Sequence, residues 1–180
     1  EDLMRIHQVQ IKSFRLLADV EMALEDETTV VVGRNNSGKT SLSEVIRRLL
    51  AEGTAKFQLE DFSSTCYDNF CEALQAHKDD VPDDKVRVLI PAIELRLTFQ
   101  YDPAQPGFGP LSPFVIDLDP ACTKALVVIR YELDDGKIAE LFEGQAVPPL
   151  NEETRIAFFR SLRERIPTHF STRIWAEDPN

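Results

Sequence analysis

Long apolar runs are missing from this sequence, and no stretch approaches the roughly 20 residues that a membrane-spanning helix needs. The first ten residues, EDLMRIHQVQ, begin with acidic side chains and lack the apolar stretch of a secretory signal. Cysteine is also scarce. Of Cys66, Cys71 and Cys122, at least one must stay unpaired, which fits a reducing compartment better than a disulfide-stabilised fold. We therefore predict a cytoplasmic protein without a membrane partner.

Basic residues are too few to balance the acidic ones. The chain has 20 Lys and Arg against 31 Asp and Glu, which gives a formal net charge of −11. Such a surface repels a phosphate backbone, so we predict that this segment does not bind nucleic acid by itself. The basic clusters at Arg47-Arg48 and at 160–165 are predicted to be solvated helix faces.

The N-terminal segments alternate between apolar and polar residues, as half-buried strands do. IHQVQIKSF ends near a predicted turn at 13–15, and a second alternating segment covers 16–24. TTVVV, at 28–32, is β-branched and apolar on consecutive positions, which predicts a strand buried on both faces. Apolar residues at 42–50 follow helical spacing. We therefore predict a strand, a loop and a helix over 28–50.

The rest of the chain is predicted to add further strands and helices. We expect a short helix at 69–77, an acidic loop at 79–84, and strands at 93–101, 125–133 and 169–178. Asn151 is predicted to cap a helix with Glu152 and Glu153 in its first turn. The residues of that helix predicted to face the core are Ile156, Phe159, Leu162 and Ile166.

The stretch VVGRNNSGKT contains Gly33, four residues, and then Gly38-Lys39-Thr40, which is the pattern of a phosphate-binding loop. Glycines let the backbone N–H groups curl around phosphate oxygens, and the following helix directs its positive end at the same anion. We predict that Lys39, as the catalytic residue, contacts the β- and γ-phosphates and that Thr40 ligates Mg²⁺. The other positions predicted from the pattern to contact the nucleotide are Asn36, Ser37, Gly38 and Ser41.

The two N-terminal strands followed by VVVGRNNSGKTSLSEVIRRLL resemble the start of ABC-type ATPase heads of the SMC and RecF group. Within that group, residues 4–50 are most similar to the OLD family of ATP-dependent endonucleases, which includes the Gabija-type anti-phage nucleases. The resemblance implies that Phe14 and Arg15 border the nucleotide and that Asn35 lies at the γ-phosphate edge. It also implies ATP and Mg²⁺ as cofactors, a homodimer or higher homo-oligomer of the full-length protein, and DNA bound through regions outside this segment.

The resemblance also implies the fold class. We expect an α/β P-loop NTPase of the ABC-ATPase type, with a mixed sheet, a strand–loop–helix at its centre and an antiparallel layer beside it. Residues 1–180 would be the N-terminal portion of one such ATPase domain, with its P-loop at 33–40. FVIDLDP, which contains Asp117 and Asp119, is interpreted as a hairpin strand flanked by prolines, and Glu143-Gly144 as a turn. We recognise no Walker B, signature or Toprim nuclease region in the sequence. We therefore expect this segment to bind ATP, and we expect hydrolysis only when its own C-terminal lobe and a second head complete the site.

Two other functions stay open for a nucleotide-binding chain of this kind. One is a nucleotide-sensing or dimerisation module that binds without turnover, and the other is a DNA repair ATPase of the RecF or SMC kind. A self-contained P-loop kinase or GTPase is disfavoured, because the sequence has neither an N-K-x-D guanine-reading motif nor an arginine-rich lid. Turnover by the full-length protein, set against binding alone, separates an ATPase from a sensing module.

Overall fold

An antiparallel sheet organises the computed structural model, which describes residues 4–32, 34, 38–51, 56–102, 109–115, 122–145 and 151–179. Within these residues the sheet has five strands, in the order β2-β1-β3-β4-β5. The strands are β1 (Met4–Phe14), β2 (Leu17–Ala23), β3 (Ile93–Tyr101), β4 (Lys124–Leu133) and β5 (Phe170–Glu177). The helices are α1 (Lys39–Ala51), α2 (Thr65–Lys78), α3 (Asp83–Leu89), α4 (Ile138–Phe142) and α5 (Glu152–His169). Short 3₁₀ helices occupy Leu59–Asp61 and Gly109–Phe114.

The alternating segments of the sequence form the strands that their pattern predicts. Ile11 on β1 lies opposite Val20 on β2 and opposite Leu95 on β3, so β1 has a partner along both edges. Strands β3 and β4 pair in turn, as do β4 and β5. The α/β class and the antiparallel layer are therefore confirmed.

The predicted strand at 28–32 is wrong. These residues lie outside the strands, and Val30, Val31 and Val32 are 74%, 43% and 84% exposed. A β-strand exists only where its backbone N–H and C=O groups meet those of a neighbour. In the described part of the chain, 28–32 pairs with none of the five strands. The sheet built by the described residues is accordingly antiparallel throughout, without the expected mixed centre.

Aromatic rings fill the core beneath the sheet. The ring centroid of Tyr131 lies 5.0 Å from that of Phe57 and 5.6 Å from that of Phe170. Its hydroxyl lies 3.4 Å from the Phe57 carbonyl oxygen and 3.3 Å from that of Ile166. Burial raises the pKa of Tyr131 to about 12, so the hydroxyl stays protonated and able to donate at neutral pH. β4 is thereby joined to α5 and to the segment after α1.

Helix α5 begins as predicted. The Asn151 side-chain oxygen accepts a hydrogen bond of 2.9 Å from the Thr154 N–H, and the Thr154 hydroxyl accepts one of 3.3 Å from the Asn151 N–H. This reciprocal pair satisfies two N–H groups that a helix start would leave without an acceptor.

The core face of α5 differs from the prediction at its beginning. Leu162 and Ile166 are buried as expected, but the first buried residue is Phe158, and Ile156 is 53% exposed. Residues 158, 162 and 166 recur every four positions and form one stripe along the helix. Ile156 is two residues from that stripe, which turns its side chain to the opposite side.

The acidic loop predicted at 79–84 is partly helical. Asp79 and Asp80 form a turn, and α3 then begins at Asp83, with the Pro82 carbonyl accepting from the Lys85 N–H at 2.9 Å. Negative charge is favourable in the first turn of a helix, which suits the two aspartates there. Among the described residues, no helix has the length and apolar character needed to cross a membrane.

Replacing Asn151 with Ala removes the side-chain acceptor at the start of α5. We expect the free energy of unfolding to fall by about 1 kcal/mol, measured by urea denaturation. Asn151→Asp keeps a capping oxygen and serves as the matched control, with an expected change of a few tenths of a kcal/mol. An equal loss in both variants would contradict a role for the cap.

Candidate functional site

Gly38 stands where the chain enters α1, and the site requires glycine there for two reasons. Its φ of 91° lies in the left-handed region, which side chains other than hydrogen rarely allow. It is also buried, and a Cβ atom built on it would lie 2.9 Å from Cδ2 of Leu17. The Gly38 carbonyl accepts the first helical hydrogen bond, of 2.9 Å, from the Leu42 N–H. Conformation and packing thus both select the second glycine of the motif.

Lys39 and Thr40 are the first two residues of α1. The Lys39 ammonium donates a hydrogen bond of 2.9 Å to the Arg34 carbonyl, so the lysine side chain reaches back across the loop. Thr40 is exposed, Ser41 is half-buried, and the first turn of the helix carries no acidic residue. A cation, two hydroxyl groups and the positive end of a helix are therefore combined at one place, which is what a phosphate group requires.

Several predicted positions lie outside the described residues. These are Gly33, Asn35, Asn36 and Ser37 in the loop, together with Asp117 and Asp119. The roles given to them from the sequence stay predictions. Glu143-Gly144 is described, and the positive φ of 70° at Gly144 fits the turn that was predicted there.

Phe14, which the family resemblance places beside a nucleotide, belongs to the core. Its side chain is fully buried, and its ring meets that of Phe57 edge-on at 5.9 Å. An isolated bridge pairs its backbone with that of Phe62. The ring therefore anchors the turn between β1 and β2, and Arg15 is the member of the pair whose side chain reaches the surface.

Arg15 belongs to an ion-pair cluster of four residues: Arg15, Glu44, Arg48 and Asp61. Its guanidinium donates to both Glu44 carboxylate oxygens, at 2.7 and 3.0 Å, and to Asp61 Oδ1 at 2.8 Å. Arg48 Nη1 lies 3.1 Å from the other Asp61 oxygen, Oδ2. Sequence reasoning missed Asp61. Its only visible signal was a carboxylate beside an aromatic residue in EDFSS, which says nothing about partners 13 and 46 positions away.

The protonation states of the cluster are set by opposing effects. Burial disfavours the charged form of Asp61, but hydrogen bonds from the Gln58 N–H, Arg15 and Arg48 outweigh it and hold the pKa of Asp61 below its usual value. Burial likewise opposes the charge on Arg15, while Asp61 and Glu44 raise the pKa of Arg15. Asp61 and Arg15 are thus both charged at neutral pH.

Arg48 is not on a solvated helix face, contrary to the prediction. Its side chain is largely buried, and the guanidinium carbon lies 4.0 Å from the centre of the Phe57 ring. It also donates to the Lys56 carbonyl oxygen. A planar guanidinium can stack on a ring and donate in its plane at the same time, which explains how a basic residue fits here.

An apolar cleft adjoins the loop. Its volume is about 200 Å³, and it is lined chiefly by apolar side chains of β1 and β2, with Gly38 and Lys39 at its border. Apolar walls cannot replace the water around a phosphate group, since burying a charge without polar partners is costly. The chemistry for phosphate therefore belongs to the loop and not to the cleft.

The sequence matches the family model of an AAA ATPase domain over residues 4–145. The chain belongs to the AAA ATPase domain family. The match extends from β1 to just beyond α4, so it includes the glycine turn, Lys39 and the whole ion-pair cluster. Comparison with curated proteins gave no match. Membership of an ATPase family is consistent with the geometry of the site, in which Lys39 and the start of α1 lie beside the glycine-containing loop.

The charge of Asp61 should make the stability of this ATPase domain depend on pH. Folding lowers the pKa of Asp61. The ionised Asp61 side chain therefore contributes fully to the free energy of unfolding above its unfolded pKa of about 3.9, and this contribution is lost as the pH falls toward the folded pKa. Asp61→Asn should lower the free energy of unfolding at pH 7 by about 2 kcal/mol, since it leaves two arginines with one carboxylate.

Urea denaturation of both proteins between pH 7 and pH 3 measures this difference. The difference in the free energy of unfolding between wild type and Asp61→Asn should become smaller below about pH 4. A difference that stays constant down to pH 3 would show that the ionised carboxylate is not what stabilises the cluster.

Proposed function

We propose that residues 33–41 of this ATPase domain bind ATP together with Mg²⁺. The observation that carries the proposal is the left-handed turn at Gly38, which leads directly into α1 with the Lys39 ammonium held across the loop at the Arg34 carbonyl. Membership of an ATPase family supports the same conclusion from the whole matched region.

Each side chain of the loop fits one part of the ligand. The Lys39 ammonium would exchange its carbonyl partner for the β- and γ-phosphate oxygens and act as the catalytic residue. The Thr40 hydroxyl is a hard oxygen ligand of the kind Mg²⁺ prefers, and Ser41 would meet the α-phosphate. When bound, Mg²⁺ neutralises charge that develops on the phosphate oxygens. Asn35, at the γ-phosphate edge, with Asn36, Ser37 and Gly38 as backbone donors, completes the proposed set.

Arg15 is the second group that we place near the nucleotide. Its side chain is 36% exposed, and Leu17, two residues further along, packs against Gly38. Phe14 would act indirectly, by fixing the turn from which Arg15 extends, because its ring is wholly buried.

The finer assignment rests on the resemblance of residues 4–50 to the OLD family. On that basis the domain is part of a P-loop ATPase head of the ABC type in an ATP-dependent DNA endonuclease that acts in phage defence or DNA processing. Hydrolysis needs a carboxylate to activate water. We expect that carboxylate, the DNA contacts and the nuclease chemistry to come from regions outside this segment and from a second copy of the head.

Lys39→Ala should lower the affinity for ATP·Mg²⁺ by roughly 10- to 100-fold, since it removes a charge-assisted hydrogen bond to phosphate. Isothermal titration calorimetry measures the dissociation constant, and phosphate release is followed in parallel. Lys85→Ala, at an exposed lysine of α3, is the matched control and should leave the affinity unchanged. Equal affinity in wild type and Lys39→Ala would refute the assignment. Binding without phosphate release is the result expected of this segment by itself, and turnover by the full-length protein separates an ATPase from the sensing module.

Thr40→Val should remove most of the effect of Mg²⁺ on ATP affinity, because the hydroxyl is the proposed metal ligand and valine has nearly the same shape. Thr40→Ser retains the hydroxyl and should keep the Mg²⁺ effect. The measurement is ATP titration with Mg²⁺ and with EDTA for all three proteins. A Mg²⁺ effect that persists undiminished in Thr40→Val would remove Thr40 from the metal site.

A further inference from the structure

We propose that Asp61 is a positioning residue of the nucleotide site, which fixes the beginning of α1 and the β1–β2 turn in one arrangement. This inference rests on the proposed function of the loop. It adds a residue that is distant from the loop in sequence and that is not expected to contact the nucleotide.

Asp61 joins three separate segments through its carboxylate. One oxygen, Oδ1, accepts from Arg15 in the β1–β2 turn, with Nη2 at 2.8 Å and Nε at 3.2 Å. The other, Oδ2, accepts from Arg48 on α1 at 3.1 Å and from the Gln58 N–H at 3.0 Å. The residue is only 7% exposed, so solvent ions screen these contacts weakly.

The first route from Asp61 to the loop runs through the turn. The Arg15 N–H donates to the Asp61 carbonyl at 2.9 Å, and the Ser63 N–H donates to the Ser13 carbonyl at 3.0 Å. The turn is thus held to residues 61–63 by its backbone as well as by the Arg15 side chain. It continues into Leu17, whose Cδ2 atom packs against Gly38 at the start of the loop helix.

The second route runs along α1. Glu44 and Arg48 are one helical turn apart, and both belong to the ion-pair cluster. Lys39 and Thr40 begin the same helix, about 14 Å from Arg48 at 1.5 Å per residue. A continuous helix of this length is stiff, so fixing its middle fixes its first turn. Asp61 therefore fixes the position of Gly38 through the β1–β2 turn and the position of Lys39 through α1.

Side chains have to provide this link, because the backbone N–H and C=O groups in the middle of a helix bond to each other. Arg15 and Arg48 provide it with planar groups that can donate in two directions at once. A phosphate site depends on placing its donors to within a fraction of an ångström. Without the Asp61 carboxylate, Arg15 and Arg48 share Glu44 as the one remaining carboxylate of the cluster, so α1 is held less firmly and can shift relative to the turn.

Glu94 provides a matched control for Asp61. It is 5% exposed and accepts from two arginines, Arg96 at 2.9 Å and Arg130 at 2.6 Å. It lies on β3 between Ile93 and Leu95, both of which point into the core, so it faces away from α1. Removing its charge should destabilise the fold in a comparable way without acting on the loop.

The test compares Asp61→Asn with Glu94→Gln in the whole chain, at a temperature well below the Tm of both. ATP·Mg²⁺ affinity should fall about tenfold in Asp61→Asn and stay within twofold of wild type in Glu94→Gln. Without nucleotide, hydrogen exchange of amides 42–48 should be faster in Asp61→Asn only. Asp61→Glu, which keeps the charge, should recover most of the affinity. Should Asp61→Asn fail to fold, Glu44→Gln serves as the second variant. It removes the charged partner of Arg15 that lies on α1 and should also weaken ATP·Mg²⁺ binding.

The outcomes distinguish the inference from the proposed function. If wild type does not bind ATP, the proposed function fails, and hydrogen exchange alone then decides whether Asp61 fixes α1. Unchanged affinity and unchanged exchange in Asp61→Asn would overturn the positioning role. Equal loss of affinity in Asp61→Asn and Glu94→Gln would also overturn it, because general destabilisation would then be the cause.

Discussion

Asp61 is the carboxylate on which the arrangement around the loop depends. The turn before the loop, the helix after it and the segment at 56–61 are far apart in sequence, and all three meet at its two oxygens. Burying an ion pair costs about as much desolvation energy as the attraction returns, whereas removing one member of such a pair costs several kcal/mol. The net contribution of the cluster to stability is therefore small. Its contribution to geometry is large, because any shift of α1 leaves a buried charge without its partner.

The charges of the cluster also cancel. Two arginines face two carboxylates, so the cluster adds no net potential beside the loop. In a chain with a net charge of −11, an incoming triphosphate must be attracted locally. Described groups that can supply this attraction include the Lys39 ammonium and the start of α1, whose first turn lacks acidic residues. In the proposed site, Arg15 and Arg48 hold this region in place, and Lys39 attracts the ligand.

The sequence predicted those features that depend on neighbours along the chain. Alternation located the strands, and a single asparagine at the right distance from a threonine located the start of α5. Long-range partners left no such signal. The strand expected at 28–32 had the right composition, but a strand forms only where its backbone groups pair with those of a neighbouring strand, which composition does not reveal. Arg48 resembled a surface residue because its ring partner, Phe57, is fixed only by the fold. Asp61 was missed for the same reason.

The two buried carboxylates among the described residues show why similar chemistry has different consequences. Glu94 and Asp61 are almost equally buried, and each accepts from two arginines. Glu94 and its arginines lie on β3 and β4, which a ladder of backbone hydrogen bonds already joins, so its ion pairs repeat a connection that exists without them. Asp61 and Arg48 connect a helix to its surroundings, and the middle of a helix has no free backbone groups for that purpose. The position of α1 therefore depends on side chains, and the ion-pair cluster determines where Lys39 and Thr40 lie.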